Sequence, residues 1–209
     1  MSLGGIVALL ADVHGEYELL RRALEWCRVE QVETIALLGD LFDRIEQADR
    51  CASLLAEWPV IGVLGNHERE LARAVEVGQL LLHPTTAQLL ASLRDRLEIG
   101  DVCLTHDVAE IGWLDETRVG GPWNVSERSR GNGRARVTFA GHTHYRQARD
   151  ELGLIDLSRR TVELDRRRRY LINPGALAVG QFAIWYRAGD RVSFYDLDYR
   201  PRVMAARPR

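Results

Sequence analysis

Five short, mainly apolar runs of this chain are each followed at once by side chains that can bind a metal ion. The runs are residues 6–11, 34–38, 60–64, 102–104 and 137–140. They lead, in that order, into Asp12-Val13-His14, Gly39-Asp40, Gly65-Asn66-His67-Glu68, Thr105-His106 and Gly141-His142-Thr143-His144. Of the six histidines, only His83 lies outside these segments. Apolar runs of this length predict buried strands, so the pattern places donor groups at strand ends.

The first half of the chain alternates these strands with helical patterns. The spacing of apolar residues predicts helices over 16–29, 45–57, 68–77 and 83–97. Strand–helix–strand units predict parallel pairing with right-handed crossovers, and therefore an α/β fold. Because the carboxyl ends of such strands form the ligand-binding edge of a sheet, we expect the donor groups to converge there.

The pattern changes after residue 144. Short strands are predicted over 153–157, 161–164, 169–172, 182–186 and 192–196, which indicates an antiparallel-rich sheet. Asn173-Pro174-Gly175 predicts a tight turn with a structural role. Glu68 is expected to begin a helix and favour its dipole, and His83 is expected to be structural.

Two segments lack these patterns, although the whole chain, 1–209, is expected to form a single domain. Residues 107–136 are glycine-rich, and a loop of this length is either an active-site lid or a surface insertion. Trp113 and Trp123 within it either stack on a substrate ring or, as we favour, anchor the loop. Residues 200–209 are expected to form a frayed tail.

The composition argues against several classes of partner. The formal net charge of −2 gives no positive field, so nucleic acid is not expected to bind. No stretch reaches the ~18 apolar residues that span a bilayer, and residues 1–11 lack the basic region of a signal peptide. The three cysteines are scattered in apolar contexts, which predicts buried, reduced thiols and a cytoplasmic location.

The number of donor groups favours two metal ions over one. The seven candidates are Asp12, His14, Asp40, Asn66, His106, His142 and His144. Burying such groups without partners costs on the order of 1–3 kcal/mol each, whereas shared coordination satisfies them together. A single four-coordinate ion cannot use seven ligands. Two ions ~3.5–4 Å apart, bridged by one carboxylate, fit the set better.

These five blocks, in this order, resemble the motifs of the calcineurin-like metallophosphoesterases. The resemblance covers residues 12–144, about two-thirds of the chain. It implies a four-layer αββα sandwich, in which two mixed β-sheets are flanked by helices. It also implies a hydrolase that attacks a phosphate ester in line with a metal-bridging hydroxide.

The resemblance further implies a role for each residue. The first ion would be held by Asp12, His14, Asp40 and His144. The second would be held by Asp40, Asn66, His106 and His142, with Asp40 bridging and Asn66 also near the substrate. His67 would bind no metal and would protonate or stabilise the leaving oxygen. Imidazole and carboxylate donors together lead us to expect Mn²⁺, Fe or Zn²⁺.

Finer features are shared between two branches of that family. Residues 40–44 resemble the G-D-x-x-D-R block of the serine/threonine-type phosphatase and diadenosine-tetraphosphatase branch. That resemblance implies that Arg44 binds phosphate and that Asp43 orients His67. Residues 141–144 and 172–175 instead resemble the small bacterial and archaeal phosphodiesterases, and Asp107-Val108 stands where the first branch usually has two glycines.

We therefore expect a dimetal phosphatase or phosphodiesterase that acts on small phosphorylated molecules, nucleotides included. A phosphoprotein phosphatase is the first alternative. The second is a non-catalytic metal-binding scaffold, resembling a retromer subunit with this fold. That subunit departs from the family at the catalytic histidine, whereas this chain retains His67.

Overall fold

A computed structural model describes residues 3–77, 81–109 and 135–197 of the chain. The first of its two sheets has the spatial order β3 (Val60–Val63), β2 (Thr34–Leu38), β1 (Ile6–Leu10), β11 (Gln181–Tyr186), β12 (Arg191–Asp196), β9 (Thr161–Glu163). The second has the order β4 (Arg96–Ile99), β5 (Val102–Thr105), β6 (Val137–Phe139), β10 (Tyr170–Asn173), β7 (Gln147–Asp150), β8 (Gly153–Leu154). The helices are α1 (Tyr17–Val29), α2 (Ile45–Leu55), α3 (Asn66–Glu76) and α4 (Pro84–Ser92), with a short 3-10 turn at Leu177–Val179.

Both sheets are mixed. In the first, β1, β2 and β3 are parallel, whereas β11, β12 and β9 complete the sheet by antiparallel pairing. In the second, β5, β6 and β10 are parallel, and β4, β7 and β8 are antiparallel to their neighbours. The α/β fold with two mixed sheets and flanking helices, predicted from the sequence, is confirmed.

The alternation of side chains along β1 shows how the layers pack. Val7 and Leu9 join an apolar cluster that also contains Val102 and Phe139 from the second sheet, so this cluster lies between the sheets. Ala8 and Leu10 point to the opposite face, where the helices cover the first sheet. In α1, for example, the buried residues recur at helical spacing and comprise Leu19, Leu20, Ala23, Leu24 and Cys27.

The sequence prediction was wrong in three places. The helix expected over 83–97 ends at Ser92, because Arg96–Ile99 alternates exposed and partly buried residues and pairs with β5 as a strand. Strand β7 was not predicted, since its letters, Gln-Ala-Arg-Asp, carry no apolar pattern. The strands after residue 144 do not form one sheet but are divided between both.

Several predictions fall outside the described residues. They concern most of the 107–136 loop, including Trp113 and Trp123, and the tail at 200–209. Within the ranges that the structure describes, no helix combines the length and the apolar character needed to cross a membrane.

Candidate metal centre

The predicted donor groups all follow strands, and these strands come from both sheets. Asp12 and His14 follow β1, Asp40 follows β2, and Asn66 follows β3 in the first sheet. His106 follows β5 in the second sheet, and the segment with His142 and His144 follows β6. The structure therefore brings seven donors from separate segments to one edge of the sandwich, as the strand-end pattern predicts.

Four donors form a first group. Ligand atoms of Asp12, His14, Asp40 and His144 all lie within 4.8 Å of one another. The Nε2 atoms of His14 and His144 are 3.0 Å apart, and Nε2 of His144 is 3.7 Å from Oδ1 of Asp12. This group is the set expected to hold the first ion.

A second group overlaps the first at Asp40. Ligand atoms of Asp40, His106 and His142 lie within 4.8 Å of one another. Nε2 of His106 is 3.2 Å from Oδ2 of Asp40, 3.1 Å from Oδ1 of Asn66 and 3.2 Å from Nδ1 of His142. Asp40 is thus placed where a bridging carboxylate would be.

Hydrogen bonds on the outer side of two imidazoles indicate which nitrogen faces inward. Nδ1 of His106 donates to the Leu38 carbonyl oxygen at 2.8 Å, so Nε2 is the nitrogen that faces the donor cluster. Nδ1 of His14 donates to Oδ1 of Asp43 at 2.5 Å, again with Nε2 facing inward. Such outer partners fix the tautomer of an imidazole that binds a metal.

The electrostatics of Asp12 and His144 favour a cation between them. Asp12 is fully buried, and its Oδ2 has no hydrogen-bond partner among the described residues. Burial is the main cause that raises the pKa of Asp12 to about 7, although nearby imidazoles oppose it. Burial, together with the neighbouring His14, lowers the pKa of His144 to about 4. A cation between these groups would stabilise the ionised carboxylate and the neutral imidazole at once.

Asp40 differs from Asp12 because it has partners for its charge. Burial alone would raise the pKa of Asp40, but the hydrogen bond and positive charge of His106 lower it to about 2. The backbone N–H of His67 also donates to Oδ1 of Asp40 at 3.1 Å. Asp40 is therefore held as a carboxylate at the centre of the cluster.

Five of the predicted ligands have a backbone that L-residues rarely adopt. The φ values of Asp12, His14, Asp40, His142 and His144 are 52°, 49°, 53°, 68° and 56°. A positive φ costs a non-glycine residue about 1–2 kcal/mol, and such strain clusters at functional sites. The chain thus bends sharply at each strand end to point these side chains into the cluster.

Two residues with predicted roles at the substrate, His67 and Asp43, lie next to His14 of the first group. His67, in the first turn of α3, has its Nδ1 3.3 Å from Oδ1 of Asp43. Arg44 directly precedes α2 and is exposed. His83, predicted to be structural, caps α4, where its Nδ1 accepts the N–H of Thr85 at 3.3 Å.

Sequence reasoning missed the role of Glu68. Its buried carboxylate accepts backbone N–H groups of Asp40, Leu41, Phe42 and Gly65 at 2.8, 2.7, 3.3 and 2.8 Å. It therefore ties the loop after β2 to the start of α3. The signal was present, since a glutamate three residues after the residue that precedes a helix is typical of a capping box.

Asn173 makes a comparable set of bonds on the other side of the site. Its Nδ2 donates to the Gly141 carbonyl oxygen at 2.8 Å and to Oγ1 of Thr143 at 3.1 Å. Its Oδ1 accepts the N–H of Gly175 at 2.8 Å. Asn173 thus supports the turn that carries His142 and His144, in agreement with the structural role predicted for it.

Comparisons with known proteins give one family match and several similar sequences and structures. The sequence profile of the calcineurin-like phosphoesterase superfamily domain matches residues 6–189. Serine/threonine-protein phosphatase 1 of Salmonella typhimurium is 36% identical over 64 residues, a match that spans 30% of this chain and 30% of that protein. An uncharacterised protein of Methanocaldococcus jannaschii is 23% identical over 199 residues, covering 84% of this chain and 76% of its own.

Solved structures share the fold. A metallophosphoesterase from Sphaerobacter thermophilus superposes with a TM-score of 0.65 at 22% identity, covering 93% of this chain and 88% of its own. An archaeal phosphodiesterase superposes with a TM-score of 0.57 at 20% identity, covering 92% and 99%. From the profile match and this shared fold, we conclude that the chain belongs to the calcineurin-like phosphoesterase superfamily.

Proposed function

We propose that the protein is a dimetal phosphoesterase that hydrolyses phosphomonoesters or phosphodiesters of small molecules, nucleotides included. The observation that carries the proposal is the pair of donor groups that overlap at Asp40. Two adjacent clusters with a common carboxylate suit two divalent ions, whose ordinary spacing in such sites is ~3.5–4 Å.

The proposed ligands divide between the two ions. Asp12, His14, Asp40 and His144 hold the first, and Asp40, Asn66, His106 and His142 hold the second. Mn²⁺, Fe or Zn²⁺ suit this mixture of imidazole and carboxylate donors, whereas Mg²⁺ prefers oxygen ligands alone. When bound, such ions supply a water-derived nucleophile at neutral pH and neutralise charge on the phosphoryl group.

Two further residues, His67 and Arg44, act on the substrate in this proposal. In this proposal His67 donates a proton to the leaving oxygen, which would otherwise depart as an unstable alkoxide. Its Nδ1 lies beside Asp43, so Nε2 is the atom that carries the transferred proton. Arg44 binds the phosphoryl oxygens through its guanidinium, whose fork matches their geometry.

Two alternatives lead to different expectations. The similarity to a protein named as a serine/threonine-protein phosphatase favours a phosphoprotein substrate as the second candidate. A non-catalytic scaffold is disfavoured by the presence of His67 next to a full set of gathered donors.

The proposal is tested by metal analysis together with a substrate panel. The purified protein is expected to bind about two ions per chain and, with Mn²⁺ added, to hydrolyse monoesters, diesters or dinucleoside polyphosphates. A phosphopeptide in the same panel distinguishes the second candidate. A protein that binds no ion and hydrolyses nothing in the panel would refute the proposal.

Replacing His67 separates catalysis from metal binding. His67→Ala is expected to lower kcat by roughly 10²–10⁴-fold, the usual contribution of a general acid, with metal content unchanged. His83→Ala is the matched control, since His83 lies outside the site. Full activity of His67→Ala would remove His67 from the mechanism.

A further inference from the structure

Asp43 lies between two histidines that the proposed function places in different roles. Its Oδ1 is 2.5 Å from Nδ1 of His14 and 3.3 Å from Nδ1 of His67. The two imidazole rings are nearly perpendicular, at 87°, with their centroids 5.1 Å apart. One carboxylate oxygen therefore faces the same nitrogen of both rings, and it is closer to His14.

The other nitrogen of His14 faces the donor cluster. Its Nε2 is 3.0 Å from Nε2 of His144, within the first group. An N–H at Nδ1 that donates to a carboxylate leaves the lone pair on Nε2 and fixes the rotation of the ring. This arrangement is the carboxylate–histidine pair that supports a metal ligand.

Backbone hydrogen bonds hold the loop that carries Asp43 against the segment that carries His14. The N–H of His14 donates to the Asp40 carbonyl oxygen at 3.0 Å, and the N–H of Gly15 donates to the Leu41 carbonyl oxygen at 2.9 Å. The loop that carries Asp43 is itself tied to Glu68 through Leu41. Asp43 is thus placed against His14 by hydrogen bonds that do not involve His67.

We propose that Asp43 is a positioning residue for the metal ligand His14 as well as for His67. This inference rests on the proposed function and extends it, because one carboxylate then orients both a ligand of the first ion and the group that delivers the proton. An Asp43 that serves His67 alone would affect proton transfer and leave metal binding unchanged. An Asp43 that orients both histidines affects proton transfer and metal binding together.

Metal titration of four proteins distinguishes these cases. Metal-free wild type, Asp43→Asn, His67→Ala and the double variant are titrated with Zn²⁺ and with Mn²⁺ against a competing chelator. We expect Asp43→Asn to weaken one of the two ions by about 10–100-fold, the usual effect of removing a partner of a metal-binding histidine. His67→Ala is expected to bind both ions as wild type does, and the double variant is expected to match Asp43→Asn.

Two controls separate orientation from folding and from charge. Asp95→Asn removes the same charge from an exposed residue paired with Arg69 and is expected to bind as wild type. Thermal unfolding of metal-free Asp43→Asn is expected to equal that of wild type, since Asp43 is 42% exposed. At limiting metal the double variant should be less active than His67→Ala, and excess metal should abolish the difference.

The outcome that overturns the inference is a double variant that binds both ions as tightly as His67→Ala. Asp43 would then act on His67 alone. That result leaves the proposed function intact, because wild type still binds two ions and hydrolyses its substrate. Failure of the proposed function is recognised separately, by the absence of metal binding in wild type.

Discussion

At the scale of single residues, the backbone of the site is as distinctive as its side chains. Positive φ values at five non-glycine donors mean that each ligand is held in a conformation that a glycine would adopt more readily. The side chain is retained there despite a cost of about 1–2 kcal/mol for each residue. Stability and ligand placement therefore oppose each other at these positions.

This strain predicts that, at position 144, the glycine variant is more stable than the alanine variant, the reverse of the order within a helix. In metal-free protein, His144→Gly is expected to be more stable than His144→Ala by ~1 kcal/mol, because alanine is strained at a φ of 56°. Urea unfolding monitored by circular dichroism measures the difference. The matched pair is His67→Gly and His67→Ala in α3, where the helix favours alanine by ~1 kcal/mol. If the same residue, glycine or alanine, were the more stable one at both positions, the structure's backbone strain at His144 would be contradicted.

At the level of single residues, the sequence indicated which donor groups come together but not which residues support them. Asp12, Asp40 and His106 could be found because each follows an apolar run, and strand ends meet at one edge. The contact of Asp43 with His14 and that of Asn173 with Gly141 join residues far apart in the chain. No local pattern encodes such pairs, so they appear only once the loops are placed.

At the scale of elements, Glu68 joins two strand-end loops through backbone hydrogen bonds. It holds the loop after β2 against the first turn of α3, which carries Asn66 and His67. Gly65 allows the close approach, since a Cβ there would lie 2.0 Å from Oδ1 of Asp40. The relative position of Asp40 and Asn66 therefore depends on one side chain that touches no substrate.

Removal of the Glu68 carboxylate is expected to destabilise the protein strongly. Glu68→Ala leaves buried N–H groups without acceptors, at a cost on the order of 1–3 kcal/mol each, so a total above ~3 kcal/mol is expected. Glu68→Gln keeps one acceptor oxygen, so its stability should lie between that of Glu68→Ala and that of wild type. Urea unfolding measures both, with the exposed Glu70→Gln in the same helix expected within about 0.5 kcal/mol of wild type. A loss of only about 0.5 kcal/mol for Glu68→Ala would show that water accepts these N–H groups in place of the carboxylate.

Helices and strands could be predicted from the sequence where the spacing of apolar residues marks them. Buried strands such as β1 and β2 were found within a residue of their observed ends, because apolar runs mark them. Strand β4 was taken for a helical extension, because only its pairing with β5 decides between the two. Edge strands carry weak signals, since one neighbour and one buried face constrain them.

At the scale of the whole molecule, the donor cluster lies where the two sheets meet. The first sheet supplies Asp12, Asp40 and Asn66 from its strand ends, and the second supplies His106. Ions bound there would connect the sheets at this edge, in addition to the apolar cluster between them. Metal binding should therefore stabilise the fold as a whole.

We expect the melting temperature to rise with metal concentration. At 100-fold excess over Kd one ion contributes ~2.7 kcal/mol, which raises Tm by about 5–10 °C for a chain of this size. Scanning calorimetry of chelator-treated protein with added Mn²⁺ or Zn²⁺ measures the shift. Asp40→Asn, which weakens both proposed ion sites, is the control and should show little response. An unchanged Tm of wild type with either ion would contradict a site shared between the sheets.

The position of β1 has a consequence for synthesis of the protein. Its neighbours in the sheet are β2, which follows soon after, and β11, which lies near the other end of the described chain. During translation the side of β1 that pairs with β11 thus stays open until β11 itself has left the ribosome. An open apolar edge can pair with other nascent chains. Chaperones that cover such edges should therefore raise the yield of folded protein.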